Sequence, residues 1–269
     1  MPSQHLPPSP TRARLKETAL EAARAAAAIL NEYARNGFRV EYKNRVNLVT
    51  DADRRSEQAV IDVIHKSFPT HRVLAEERGE QAGSDQEYQW VIDPLDGTTN
   101  FAHGYPAYCV SIGVTYKGSS ILGVVLDPTR QELFLAEAGS GASLNGMPLH
   151  VSRTSTLDRS LLVTGFAYDI RENPENNLDH FSRFALKAQG VRRTGTAALD
   201  LCYVAAGRFD GFWELKLHPW DTAAGLVMVL EAGGRVTGSK GEPFSIHQPS
   251  IVATNGLIHE EMLAVLSQA

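Results

Sequence analysis

Cysteine is scarce: the chain holds only Cys109 and Cys202. A disulfide framework and a cysteine-built zinc site are therefore excluded, and both residues, set in apolar runs, read as reduced core thiols. No run of about eighteen apolar residues occurs, so no membrane-spanning helix is expected. Residues 1–10 are proline-rich and lack the apolar stretch of a secretory signal, which makes the cytoplasm the expected compartment. Positive charge is not in excess either. With 26 Lys and Arg against 31 Asp and Glu, the formal net charge is −5, and neither nucleic acid nor an acidic membrane is an expected partner. What remains is the make-up of a globular protein, 269 residues with 43% hydrophobic and 21% charged, enough for one large domain or two closely packed halves.

The stretch Trp90-Val91-Ile92-Asp93-Pro94-Leu95-Asp96-Gly97-Thr98-Thr99-Asn100-Phe101 organises the reading. An apolar run predicts a short buried strand that delivers two carboxylates into a Pro/Gly turn. Pro94 fixes one φ and Gly97 can take a positive one, so the turn can aim both carboxylates and the Leu95 carbonyl at one point. Buried carboxylates need compensation, and a bound cation supplies it. Thr98 and Thr99 then open a helix or turn, whose free N–H groups favour an anion such as phosphate. The bare Asp-x-x-Asp-Gly-Thr pattern is equally that of a solvated turn with an aspartate helix cap.

Along the chain, residues 1–10 are expected to be a disordered tail and 11–269 a single domain, with a join between two halves in the turn-rich segment 139–148. Apolar spacing predicts helices over 11–36 and about 53–68, with a possible strand at 38–42 and a polar loop at 43–47 between them. A short strand at 72–75 and a surface loop at 84–88 precede the central stretch, and strands at 108–116, 121–126 and 132–136 follow as an antiparallel meander. Beyond 148, strands near 160–164, 191–193, 209–214 and 250–253 alternate with helices near 174–189, 196–206, 220–232 and from 259. That order implies an α/β half with a layered sheet.

Five carboxylates stand where strands meet loops: Asp53, Glu76, Asp93, Asp96 and Asp221. Taken singly, Asp53 is also a helix cap, Glu76 a solvated loop acid and Asp221 an ordinary helix-start acid. Their surroundings point further. The stretch from Trp90 resembles, nearly letter for letter, the signature of the inositol monophosphatase family. Leu48-Val49-Thr50-Asp51-Ala52-Asp53, Ala75-Glu76-Glu77, Trp220-Asp221-Thr222-Ala223-Ala224-Gly225 and Glu231-Ala232-Gly233-Gly234 resemble its other blocks, in the family's order.

The resemblance implies a mixed α/β fold, a layered αβαβα sandwich of the sugar-phosphatase type, with an antiparallel sheet in the N-terminal half and a mixed one in the C-terminal half. It implies two to three Mg²⁺ ions, Mn²⁺ being a plausible substitute; an all-oxygen donor set suits such hard cations. Glu76, Asp93 and the Leu95 carbonyl are assigned to one ion and Asp93, Asp96 and Asp221 to a second. Thr98 and Asp53 are expected to orient the attacking water, with Glu76 beside it, and Gly97 and Thr98 to cradle the phosphate of a small phosphate ester. Gly195, Thr196 and Ala197 are expected near the sugar ring, with Glu214 accepting its hydroxyls.

Myo-inositol 1-phosphate is the expected substrate. Histidinol phosphate, fructose 1,6-bisphosphate and nucleotide 3′-phosphates are alternatives, and a non-catalytic protein that kept the fold is a competing class. A homodimer and lithium sensitivity are further implications. Arg45 and Gly104 depart from the family pattern or fall where it varies, and Phe166-Ala167-Tyr168 occupies a loop that differs between members with different substrates.

Overall fold

The computed structural model describes residues 6–42 and 48–268. The predicted loop 43–47, with Arg45, lies outside them. The first helix, α1 (Ser9–Asn36), starts earlier than the sequence suggests, with Pro10 in its first turn, where a missing N–H costs nothing. Leu6 packs on the core beside it, so the expected tail does not extend over 6–10, and residues 1–5 are outside the description.

The chain continues through β1 (Val40–Tyr42), β2 (Leu48–Thr50), α2 (Asp51–Ser67), β3 (His71–Ala75), β4 (Gly79–Gln81), β5 (Asp85–Asp96), α3 (Thr98–Ala102), β6 (Cys109–Tyr116), β7 (Ser119–Asp127), β8 (Glu132–Glu137), β9 (Gly141–Leu144) and β10 (Met147–Pro148). The second half comprises β11 (Leu161–Thr164), α4 (Leu178–Lys187), β12 (Gly190–Arg192), α5 (Ala197–Ala205), β13 (Gly211–Leu215), α6 (Pro219–Glu231), β14 (Arg235–Thr237), β15 (Ser250–Thr254) and α7 (His259–Leu266).

Strands β3 to β10 form an eight-stranded sheet in the order β10-β9-β8-β7-β6-β5-β3-β4, antiparallel except where β3 runs parallel to β5. A five-stranded mixed sheet, β12-β11-β13-β15-β14, occupies the second half. Helices α1 and α2 cover the outer face of the first sheet through Leu15, Ala19, Ala22, Leu30, Val60 and Ile64. Between the two sheets lie α5 and α6, while Phe184 of α4 and Met262 of α7 pack on Trp213 beyond the second sheet. The result is an αβαβα sandwich, a mixed α/β fold.

Two departures have local causes. Residues 84–88 are strand from Asp85 onward, because polar Asp85-Gln86-Glu87 sits on an exposed stretch where apolar alternation is not required. The segment 139–148 folds as the β9–β10 hairpin on the sheet edge. Leu144 pairs with Met147 across Asn145 (φ 50) and Gly146 (φ 82), the two positive φ values that such a tight turn demands.

The small residues of the block beginning at Trp220 have a packing role. A Cβ on Gly113 or Gly123 would come within 2.7 Å of the Ala223 Cβ or 2.4 Å of the Ala224 carbonyl oxygen, and one on Gly225 within 2.5 Å of Leu201. Helix α6 is thus pressed against β6, β7 and α5, which fixes where its first turn points.

Candidate active site

The two carboxylates of the central turn share a side of β5 because the strand is irregular there. In a regular strand residues three apart face opposite ways. Here Asp93 pairs with Ser111 and Asp96 with Cys109, three residues against two, so one extra residue is inserted and both side chains face the same side. Gly97, at φ 97, then turns the chain into α3; a Cβ there would meet the Ala107 carbonyl at 2.9 Å. Four helices, α2, α3, α5 and α6, direct their first turns at this point and present Asp53, Thr98, Thr196 and Asp221. Unpaired N–H groups of such ends stabilise negative charge.

A cleft of about 520 Å³ is lined by Glu76, Asp93, Leu95, Asp96, Gly97, Thr98, Gly195, Thr196, Ala197, Glu214 and Asp221. All the candidate residues except Asp53 are therefore on one wall or another of a single cavity. Asp53 lies just behind it, fully buried. Its Oδ1 is 3.1 Å from the Thr98 hydroxyl, and its Oδ2 accepts from the Thr50 backbone N–H at 2.8 Å and the Thr50 hydroxyl at 2.6 Å. The same Thr98 hydroxyl is 3.1 Å from the Leu95 carbonyl oxygen.

Burial is the first cause of every large shift in this region. It pushes Asp53 up to about 6 against the hydrogen bonds from Thr50, and Asp96 up to about 6 against those from Thr196 and the start of α5. Asp93 is raised well above the ordinary carboxylate range, first by burial and then by the charges of Glu76, Asp96 and Asp221. Asp221 is raised likewise by burial, then by Asp96, although its carboxylate accepts from the His218 N–H at 2.6 Å. Asp93 thus feels the charges of Glu76, Asp96 and Asp221 together, and Asp221 those of Asp96 and Glu76. Among the described residues, however, no three His, Cys, Asp or Glu side chains form a closed ligand cage. Asp96 and Asp221 each turn one oxygen to backbone or hydroxyl donors, Asp96 to the Thr196 hydroxyl and the Ala198 N–H and Asp221 to the His218 N–H.

Thr196, expected near the ring, donates to Asp96 Oδ2 at 2.7 Å, and the Ala198 N–H donates to the same oxygen at 2.8 Å. The Gly195-Thr196-Ala197 turn thus holds an acid as well as lining the cleft. Cys109 and Cys202 are free and buried, and the Cys109 thiol approaches Asp96 at 3.9 Å.

Sequence reasoning passed over Asp200, Arg193 and Gly165, which also line the cleft, as does Tyr168 of the loop expected to vary with substrate. Asp200 is buried in an apolar helix, with the Thr194 hydroxyl at 2.5 Å as its partner. An acid on an otherwise apolar helix face was the available signal. Arg193, Tyr168 and Gly165 lie in loops or at strand ends, where no periodicity marks them.

The model of the inositol monophosphatase family matches residues 12–269. The inositol-1-monophosphatase of Synechocystis sp. is 47% identical over 252 residues, covering 93% of this chain and 88% of that protein. The Nus factor SuhB of Escherichia coli (strain K12) is 44% identical over 248 residues, covering 91% and 93%. Among solved structures, inositol monophosphatase from Anabaena (Nostoc) sp. aligns with a TM-score of 0.88 at 47% identity, covering 96% of this chain and 97% of that one. With the sandwich, the acid-lined cleft and every sequence block in place, the chain belongs to the inositol monophosphatase family.

Proposed function

We propose that this phosphatase hydrolyses myo-inositol 1-phosphate with magnesium as its cofactor. The observation that carries the reading is the set of four mutually repelling, cleft-lining carboxylates beside the buried Asp53–Thr98 pair. Uncompensated, such a set is costly, and a divalent ion compensates it. The donors are all oxygen, which suits two to three Mg²⁺ ions or Mn²⁺ in their place. Glu76, Asp93 and the Leu95 carbonyl would hold one ion, and Asp93, Asp96 and Asp221 a second. Bound there, the metal lowers the pKa of water and neutralises charge on the phosphoryl group and the leaving oxygen.

The chain's own groups do the rest. The Thr98 hydroxyl has one proton and two acceptors at 3.1 Å, Asp53 Oδ1 and the Leu95 carbonyl. Donating to Asp53, it keeps a lone pair to accept a hydrogen from the attacking water and so orients it. Asp53, titrating at about 6, is poised to take up a proton near neutrality. Glu76 stands next to this water. The N–H groups of Gly97 and Thr98, at the start of α3, cradle the phosphate. Glu214 accepts hydroxyls of the leaving ring, with Asp96, Asp221 and the Gly195-Thr196-Ala197 turn around it. A homodimer, lithium inhibition and a cytoplasmic location belong to the same reading and rest on family membership alone; no helix among the described residues is long and apolar enough to cross a membrane.

Phosphate release from a panel of esters tests it, with inositol 1-phosphate, histidinol phosphate, fructose 1,6-bisphosphate and a nucleotide 3′-phosphate at fixed magnesium and an EDTA control. The highest kcat/KM is expected for inositol 1-phosphate. Release indifferent to EDTA, or from none of the esters, would sink the reading. A second reading, a regulatory protein on the same fold, draws support from the Nus-factor name of the Escherichia coli relative. The complete acidic set favours catalysis, and the same assay separates the two.

A further inference from the structure

The alcohol-binding end of the cleft contains a close approach that the phosphate end does not need. Gly165 directly follows β11, which runs parallel to β13, and a Cβ built on it would lie 2.2 Å from Glu214 Oε1, 2.3 Å from Oε2 and 2.4 Å from Cδ. The Glu214 carboxylate therefore rests directly on the glycine's Cα. Gly165 is absent from the residues with positive φ, so its backbone conformation is open to any L-residue and space for Glu214 is what demands glycine. The glycine is itself held still. Asn177 donates from its amide to the Gly165 carbonyl at 2.8 Å and to the Thr164 hydroxyl at 2.9 Å, and accepts from Trp213 Nε1 at 2.7 Å. Trp213 and Glu214 are neighbours on β13, so one buried network fixes both sides of the contact.

We infer that Gly165 is a specificity-determining positioning residue: the missing side chain is what lets the Glu214 carboxylate stand where it meets hydroxyls of the leaving alcohol. The inference rests on the role proposed for Glu214. A clash of 2.2 Å has to be relieved, and the cheapest relief is movement of the flexible carboxylate rather than of the backbone. Gly165→Ala therefore moves Glu214 and leaves the fold and the acid cluster at Asp93 and Asp96 in place. Any methyl-sized addition at 165 retunes which alcohol is accepted without touching the phosphoryl chemistry.

The test compares kcat/KM for myo-inositol 1-phosphate with that for phenyl phosphate, whose leaving group has no ring hydroxyls, at saturating magnesium and with melting temperatures recorded. In Gly165→Ala the inositol-to-phenyl ratio is expected to fall about tenfold or more, the scale of a lost hydrogen bond in a buried site. Glu214→Asp alone lowers the ratio too. Combined with Gly165→Ala, its shorter side chain makes room for the new methyl, and the double variant regains part of the ratio lost by Gly165→Ala. A merely structural glycine cannot produce that recovery. An unchanged ratio in Gly165→Ala, equal losses on both esters, or no recovery in the double variant overturns the inference. If Glu214→Gln leaves the ratio unchanged, the proposed role of Glu214 fails first; if the unmodified protein hydrolyses neither ester, the phosphatase reading itself fails.

Discussion

The two walls of the cleft are built differently. The phosphoryl wall is centred on one short stretch, Asp93 to Thr98, joined by Glu76 and Asp221 and backed by Asp53 of α2, and its central groups are bonded to one another: Leu95 N–H to Asp93 Oδ1 at 3.0 Å, Thr98 to Leu95 and to Asp53. The alcohol wall is assembled from the residue after β11, the turn before α5 and the end of β13, three places spread over residues 165–214. On the proposed reading, chemistry common to all phosphate esters sits on the wall built around that self-supporting stretch. Selection among alcohols sits on the dispersed one, where a single methyl group alters geometry. The contrast implies that damage to the first wall costs turnover on every substrate, while damage to the second redistributes it.

The largest effect separates the walls outright. Asp93→Asn removes the acid at the centre of the mutually repelling set, and turnover at saturating magnesium is expected to fall by about a thousandfold or more on every ester, the scale for losing a principal electrostatic group. Equal loss on inositol 1-phosphate and phenyl phosphate is the expected signature. Next, Thr98→Ala leaves the carboxylates in place but withdraws the hydroxyl from Asp53, and kcat is expected to drop about a hundredfold with KM little changed. A change confined to KM would mean that Thr98 holds substrate rather than water.

The third prediction concerns protons. Asp53 is raised from 3.8 to about 6, so between those values the unfolded chain releases a proton that the folded one keeps. Stability in EDTA should therefore fall as pH rises from about 4 to about 6, by up to about 3 kcal/mol for this one fully buried group. Thermal melts across that window check the sign, and added magnesium should flatten the decline. The smallest effect tests the scaffold that both walls share: Gly123→Ala forces α6 away from β7 and is expected to cost about 1–3 kcal/mol in urea unfolding.

The same division governs what could be read from sequence. The phosphoryl wall was legible because its residues are consecutive and its turn chemistry is local: Gly97 does take a positive φ, and Thr98 does begin a helix. The helices α1 and α2 declared themselves through apolar spacing, and the meander β6–β7–β8 through three runs of strand character separated by turns. Less visible was the one-residue irregularity between Asp93 and Asp96, which is a matter of pairing with β6 and not of β5 alone. The Asn145-Gly146 hairpin was present as a turn signal but was read as a join between halves, since Met147 and Pro148 give no alternation to mark a strand. Gly165 was invisible because its meaning lies in Glu214, forty-nine positions later in the chain. Thr196 was seen as a ring contact, and only the tertiary fold places Asp96 against it.

The central proposal is that the acids of the phosphoryl wall bind divalent ions against a phosphate. Titrating Mn²⁺ into the protein with and without inorganic phosphate, for the unmodified chain and Asp93→Asn, tests this most directly. Two or more ions per chain, bound more tightly with phosphate and weakened or lost in Asp93→Asn, is the predicted result. Identical stoichiometry and affinity in the two proteins would contradict it.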